Sequence, residues 1–198
     1  MVMNGNVFFE NLKSIINQKK LVSIYTDLYG ESFVGYILRI SEDLLLLYSY
    51  EISKPNGIKI FRLDDITRIR WDSKELEEIE SLICLPTDIE KISAINIDNK
   101  KTAIEHIQNI FGYVTIYIQS IDKSICFIGE IAEMDNETII LHEFGTLDAK
   151  NRSFQLLALQ DVTRIDSDGI YEKQLIQLYQ KDNVGMPNTK FEEERQTQ

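Results

Sequence analysis

The chain is short of cysteine, proline, histidine and basic charge. Its 198 residues include two Cys, three Pro, nine Gly and two His, and 21 Lys and Arg stand against 32 Asp and Glu for a net charge of -11. Cys84 and Cys126 sit in no C-x-x-C spacing, which excludes a disulfide framework, and both are expected to act as small buried hydrophobes. So little Pro and Gly excludes collagen-like and low-complexity sequence. His106 and His142 form no H-x-x-H or H-E-x-x-H spacing, so neither a metal site nor a catalytic residue is expected. Cys126 and His142 would make a nucleophilic pair only if neighbouring strands brought them together. No G-x-G-x-x-G or G-x-x-x-x-G-K-[ST] string offers a phosphate loop, and no cofactor is expected. The longest apolar string, Leu44 to Tyr48, is far short of the roughly 18 residues of a membrane span. The first twenty residues carry Glu10 and helical rather than continuous apolar spacing, unlike a secretory signal. The expectation is a cytoplasmic protein without a membrane partner. Its acidic excess repels phosphate backbones, so nucleic-acid binding requires a local basic patch.

What is present is self-similarity. Val22-Ser23-Ile24-Tyr25 recurs as Val114-Thr115-Ile116-Tyr117, and Asp65-Ile66-Thr67-Arg68-Ile69 recurs as Asp161-Val162-Thr163-Arg164-Ile165. Between these anchors Phe33-Val34-Gly35 matches Phe127-Ile128-Gly129. The offsets differ by a few residues only, so the insertions belong in loops. Two copies of one fold follow: residues 1–84, a connector over 85–97, residues 98–180, and a polar tail over 181–198 expected to be mobile. Ile89, Ile92, Ile95 and Ile97 argue that the connector is ordered.

Each copy opens with a helical stripe: Phe8, Phe9, Leu12, Ile15 and Ile16 behind Asn6 as cap, then Ala103, Ile104, Ile107, Ile110 and Phe111 behind Asp98 or Asn99. Runs rich in Val, Ile, Tyr, Phe and Thr follow at strand length. In the first copy they cover Leu21–Thr26, Ser32–Ile40, Leu44–Tyr50, Gly57–Phe61 and Ile66–Arg70. In the second they cover Tyr113–Gln119, Ile125–Ala132, Thr138–Glu143, Ser153–Ala158 and Val162–Asp166. Asn56-Gly57 reads as a hairpin turn, and Gly35 and Gly129 as mid-strand bends of a closing barrel. Short helices over Lys74–Ile83 and Tyr171–Tyr179 end the copies. The fold class expected is mainly β with helices, as two tandem five-stranded barrels, each with an N-terminal helix.

Val22, Ile24, Gly30, Phe33, Gly35 and Ile37, followed by Phe61-Arg62-Leu63-Asp64-Asp65-Ile66, resemble the two motifs of the Sm-like proteins, the family of the eukaryotic LSm proteins and bacterial Hfq. The resemblance implies barrels of the Sm-like or SH3-like type, with Arg62 on the family's Arg and Leu63 in place of its Gly. The second copy reads Leu157-Ala158-Leu159-Gln160-Asp161-Val162 and lacks that Arg. The family's uridine pocket needs an Asp and an Asn in the turn after the bent strand. The matching positions here are Ser41 and Leu45, then Asp135 and Ile139, with Asp43 or Asn136 as substitutes if the loop register differs.

The repeated Asp-(Ile/Val)-Thr-Arg-Ile string reads structurally as a tight turn followed by core aliphatics, with Arg68 and Arg164 projecting outward to engage a carboxylate or phosphate. Candidate ligand or RNA contacts are therefore Arg62, Arg68, Arg164, Asp135 and Asn136. The function expected is a non-enzymatic binding or assembly module that engages protein partners or itself through strand edges. The alternative is an RNA-binding regulator of the Sm-like type.

Overall fold

The computed structural model describes residues 5–26, 32–87, 89–120, 125–146 and 151–183, with side chains as far as residue 179. Among the described residues the β-branched and aromatic runs form ten strands. They are β1 (Leu21–Thr26), β2 (Ser32–Ile40), β3 (Leu44–Glu51), β4 (Lys54–Arg62), β5 (Ile66–Arg70), β6 (Val114–Tyr117), β7 (Cys126–Met134), β8 (Thr138–Glu143), β9 (Ser153–Ala158) and β10 (Arg164–Ser167). All pair antiparallel in one sheet of order β5-β1-β2-β3-β4-β10-β6-β7-β8-β9.

This order corrects the expected pair of closed Sm-like or SH3-like five-stranded barrels; the mainly-β class with helices holds. After β4 a 3₁₀ turn at Leu63–Asp65 carries the chain away, so β5 pairs with β1. The open side of β4 is then taken by β10, with Lys59 opposite Asp166 and Ile60 opposite Ile165. Neither five-strand set closes on itself, and β5 and β9 are left as the edges of a ten-stranded open sheet.

The two sets share their internal geometry. Register shifts between Ile37 and Arg39 in the β2–β3 pair, and between Ile131 and Glu133 in the β7–β8 pair. The 3₁₀ turn recurs at Leu159–Asp161, with the Leu63 amide donating to the Asp43 carbonyl at 2.8 Å and the Leu159 amide to the Glu137 carbonyl at 2.7 Å. Positions from β4 to β5 therefore correspond one by one to those from β9 to β10. Gly35 and Gly129 are required because a Cβ there would collide with the carbonyls of Tyr48 and His142 on the neighbouring strand.

β3, Leu-Leu-Leu-Leu-Tyr-Ser-Tyr-Glu, is buried on both faces, and its almost continuous apolar run reflects this. Leu45 and Leu47 join Leu12, Ile15, Val22, Ile24 and Phe61 in one core. Leu44, Leu46, Tyr48 and Tyr50 face the other way, into a core that also takes Ile104, Ile107, Ile116, Leu141 and Ile165 of the second half. In the described part of the connector, α3 (Ile89–Ser93) carries Ile92 and leads to Ile95 and Ile97, all three buried in that shared core.

The helices α1 (Asn6–Asn17), α2 (Lys74–Glu80), α4 (Lys100–Phe111) and α5 (Ile170–Asn183) fall where the apolar stripes place them. Asn99 caps α4, accepting from the Thr102 amide at 2.9 Å, whereas Gly5 rather than Asn6 precedes α1. Asn56-Gly57 is not the hairpin turn. The chain reverses between β3 and β4 with Ile52 at φ 59°, and Gly57, at φ 69°, lies within β4 where a Cβ would meet the Ser167 carbonyl. Asn56 instead accepts from the Ile170 amide at 3.0 Å, at the start of α5. Cys84 is exposed and Cys126 half-buried, in place of two buried thiols. Residues 181–183 continue α5, while Gly30 and the remainder of the expected mobile tail lie outside the described residues.

Candidate functional site

Three regions gather polar or exposed apolar side chains: the internal seam between β4 and β10, the two edge strands, and a cleft between the halves. At the seam, alternation puts Lys59 of β4 and Arg164 and Asp166 of β10 on one face. Lys59 Nζ donates to Asp166 Oδ2 at 2.9 Å and Arg164 Nε to Asp166 Oδ1 at 2.9 Å. The Arg164 guanidinium stacks 3.7 Å from the Tyr117 ring centroid and 4.9 Å from that of Phe33, so residues of both halves enclose it. Arg164 is 5% exposed and Asp166 1%, which corrects the expectation that Arg164 projects outward. The reason is the covering strand: β10 has neighbours on both sides, and β5, carrying Arg68, has one. Glu172, on α5, accepts from Thr115 Oγ1 at 3.1 Å, and burial pushes its carboxyl above the usual range, reinforced by the nearby Asp166 charge.

The free edges are built differently. Arg68 lies on exposed β5 with its guanidinium 3.7 Å from the Tyr25 ring centroid, the same stack as Arg164 on Tyr117 but in water. Arg70, at the position of Asp166, donates to Glu75 at 2.7 Å. On β9, Phe154 is 66% exposed and Leu156 74%, where the corresponding Ile58 and Ile60 of β4 are 0% and 1%. Phe154 stacks on His142 at 4.4 Å between centroids. The His142 pKa is lowered, first by burial and then by Arg152. Gln155, at the position of Lys59, donates to Glu143 at 2.9 Å. β9 contains no charged residue and no proline, two of the usual protections of an edge strand.

The cleft, about 1110 Å³, is lined by Arg62 and Asp64 of the first half and by Lys100, Lys101, Asn136 and Glu137 of the second, among others. Arg62 is held by Asp65 through two bonds, from Nε at 2.6 Å and Nη2 at 2.7 Å, and the Asp65 bond raises its pKa. Lys100 Nζ donates to the carbonyls of Leu159 and Gln160 at 3.1 and 2.7 Å, and burial, helped by Arg62, pulls its pKa down to about 8. Asp135 stands in the β7–β8 turn, where its carboxylate accepts from the Glu137 and Thr138 amides, and these bonds lower its pKa. Three cations, Arg62, Lys100 and Lys101, share this cleft with the carboxylates of Asp43, Asp64, Glu105 and Glu137, so the lining gives no net attraction for phosphate.

Of the expected contacts, Arg62 and Asn136 thus share one cleft, Asp135 serves its own turn, Arg68 lies on a free edge and Arg164 in the seam. Register puts Cys126 opposite Tyr117 and His142 opposite Glu130, so the two do not face each other across strands. No cluster of three or more metal-ligating side chains occurs among the described residues, and none of the described helices is long and apolar enough to cross a membrane. Lys59, Asp166, Phe154 and Leu156 were not singled out from sequence. Aligning β4 with β9 would have shown two apolar pairs, Ile58 with Ile60 and Phe154 with Leu156, at the same two positions. No family model, curated protein or solved structure matches this chain.

Proposed function

We propose that the protein is a non-enzymatic binding or assembly module whose working surfaces are the open strand edges β5 and β9, with the Sm-like resemblance and a cytoplasmic setting as parts of this reading. One observation carries it: Phe154 and Leu156 stand 66% and 74% exposed on an uncharged strand at the edge of the described sheet. Such an edge accepts an added strand, whose main chain supplies the hydrogen bonds and whose alternate side chains supply the specificity.

The test is amide hydrogen exchange on residues 153–158, with and without a peptide of the sequence from Ile66 to Trp71. Saturable slowing of exchange in β9 is the expected result. Unchanged exchange at saturating peptide would contradict edge binding.

A second reading, RNA binding, is favoured by the meeting of Arg62 and Asn136 in one cleft. The Asp65 clamp on Arg62 and the surrounding carboxylates oppose it. Its expected signature is salt-sensitive anisotropy with U-rich or A-rich oligonucleotides that weakens in Arg62→Ala.

A further inference from the structure

We infer that the partner at the open edges is a second copy of this chain, joined head to tail so that β9 of one copy pairs with β5 of the next in the register of the internal seam. The inference rests on the edge-binding reading and names its occupant.

The chain already contains one such joint. In it β4 meets β10 antiparallel with Phe61 opposite Arg164, Ile60 opposite Ile165, Lys59 opposite Asp166 and Ile58 opposite Ser167. β9 takes the place of β4 in its set and β5 that of β10, and the same 3₁₀ turn follows β4 and β9 and precedes β5 and β10. Carrying the register across places Leu156 opposite Ile69, Gln155 opposite Arg70 and Phe154 opposite Trp71 of the next copy. Phe154, Leu156 and Trp71 are all among the exposed large hydrophobics, at 66%, 74% and 38%. The apolar surface left bare on one edge is thus matched by apolar side chains on the other.

The polar groups fit as well, with their signs exchanged. In the seam the ion pair that crosses between strands takes its cation, Lys59, from β4 and its carboxylate, Asp166, from β10, where Arg164 shares it. At the new joint the cation, Arg70, comes from β5, and the acidic group is Glu143 of β8, which already accepts from Gln155 and Ser153 of β9. This exchange also selects the joint: β4 against a foreign β5 would oppose Lys59 with Arg70, whereas β9 against β5 opposes no like charges. Because the two edges differ, the contact is heterologous and repeats from copy to copy, giving a ring if the rotation closes and a fibre if it does not.

The experiment uses the full chain in a Cys84→Ser, Cys126→Ser background. One preparation carries Arg70→Cys, another Gln155→Cys, and the two are mixed under mild oxidation. A disulfide-linked pair is the expected product, and it should be much reduced when Leu156→Cys replaces Gln155→Cys, since a shift of one residue faces the other side of the sheet. Sedimentation velocity of the unmodified chain should show mass rising with concentration, and Leu156→Lys, at an exposed position that leaves the fold intact, should return it to monomer. A chain that stays monomeric and gives no cross-link overturns the inference. If that monomer's β9 amides are still protected by the Ile66–Trp71 peptide, edge binding survives with another partner; if they are not, both fall.

Discussion

Ile60 and Leu156 occupy the same place in two strand sets of the same order, yet Ile60 is 1% exposed and Leu156 74%. Nothing local separates them. Each is an aliphatic residue on the fourth strand of its set, two residues before the strand ends. The difference is what surrounds them: Ile60 has β10 beside its strand and lies in the core shared with α4 and the connector, while β9 has, among the described strands, β8 alone beside it. Burial here depends on the neighbouring strand together with the layer packed over it, and the seam shows an occupied edge where β5 and β9 show a free one among the described strands.

The largest effect that sharpens this comparison is expected at the seam's charges. Asp166→Ala leaves Lys59 and Arg164 enclosed without their carboxylate, which should cost about 3–5 kcal/mol in urea unfolding. A loss under about 1 kcal/mol would mean that water enters the seam and that it is not a closed joint. Next, Ile60→Ala should cost about 2–5 kcal/mol by opening a cavity in the shared core. Leu156→Ala, measured in dilute protein, should stay within about 0.5 kcal/mol, as surface changes do. Equal losses at the two positions would erase the distinction between occupied and free edges.

A smaller effect compares the halves by pH. Tyr50 in the first and Tyr113 in the second are both pushed up to about 12, mainly by burial. A phenol whose folded pKa exceeds its unfolded value contributes fully below roughly pH 10 and loses that contribution as pH rises toward the folded value. The urea midpoint should therefore fall between pH 10 and 12, and Tyr50→Phe or Tyr113→Phe should flatten part of that slope. The smallest effect is at His142, stacked on Phe154, whose pKa is lowered. Its imidazole resonances should titrate below the usual histidine value, and lower still at protein concentrations where a second copy covers Phe154.

Much of the fold was legible in the sequence because the signals were local. The strands over Leu21–Thr26, Ser32–Ile40, Ile66–Arg70, Thr138–Glu143 and Ser153–Ala158 coincide with the runs of β-branched and aromatic residues, while Gly35 and Gly129, expected as bends, stand in regularly paired strand and serve the close approach of a neighbouring carbonyl. The closure of five strands into a barrel was not legible. Whether β4 pairs with its own β5 or with β10 is decided by a competition between distant edges, and no residue in β4 announces its partner. Arg164 shows the same limit: period two puts it on a face, and only β4 and Phe33 make that face an interior. Asn56-Gly57 misled because its turn chemistry serves other ends, with Gly57 admitting the Ser167 carbonyl and Asn56 receiving the first amide of α5. Of the candidate site, Arg62 and Asn136, binding groups on the sequence pattern, share a cleft. The exposed pair on β9 needed the comparison with β4 to be noticed.

The central claim is that the free edges are one more copy of the seam. Its most direct test is sedimentation velocity over a wide concentration range on the unmodified chain beside Leu156→Lys. The account predicts mass that grows with concentration for the first and a monomer throughout for the second. A monomer in both cases, or identical association in both, would contradict it.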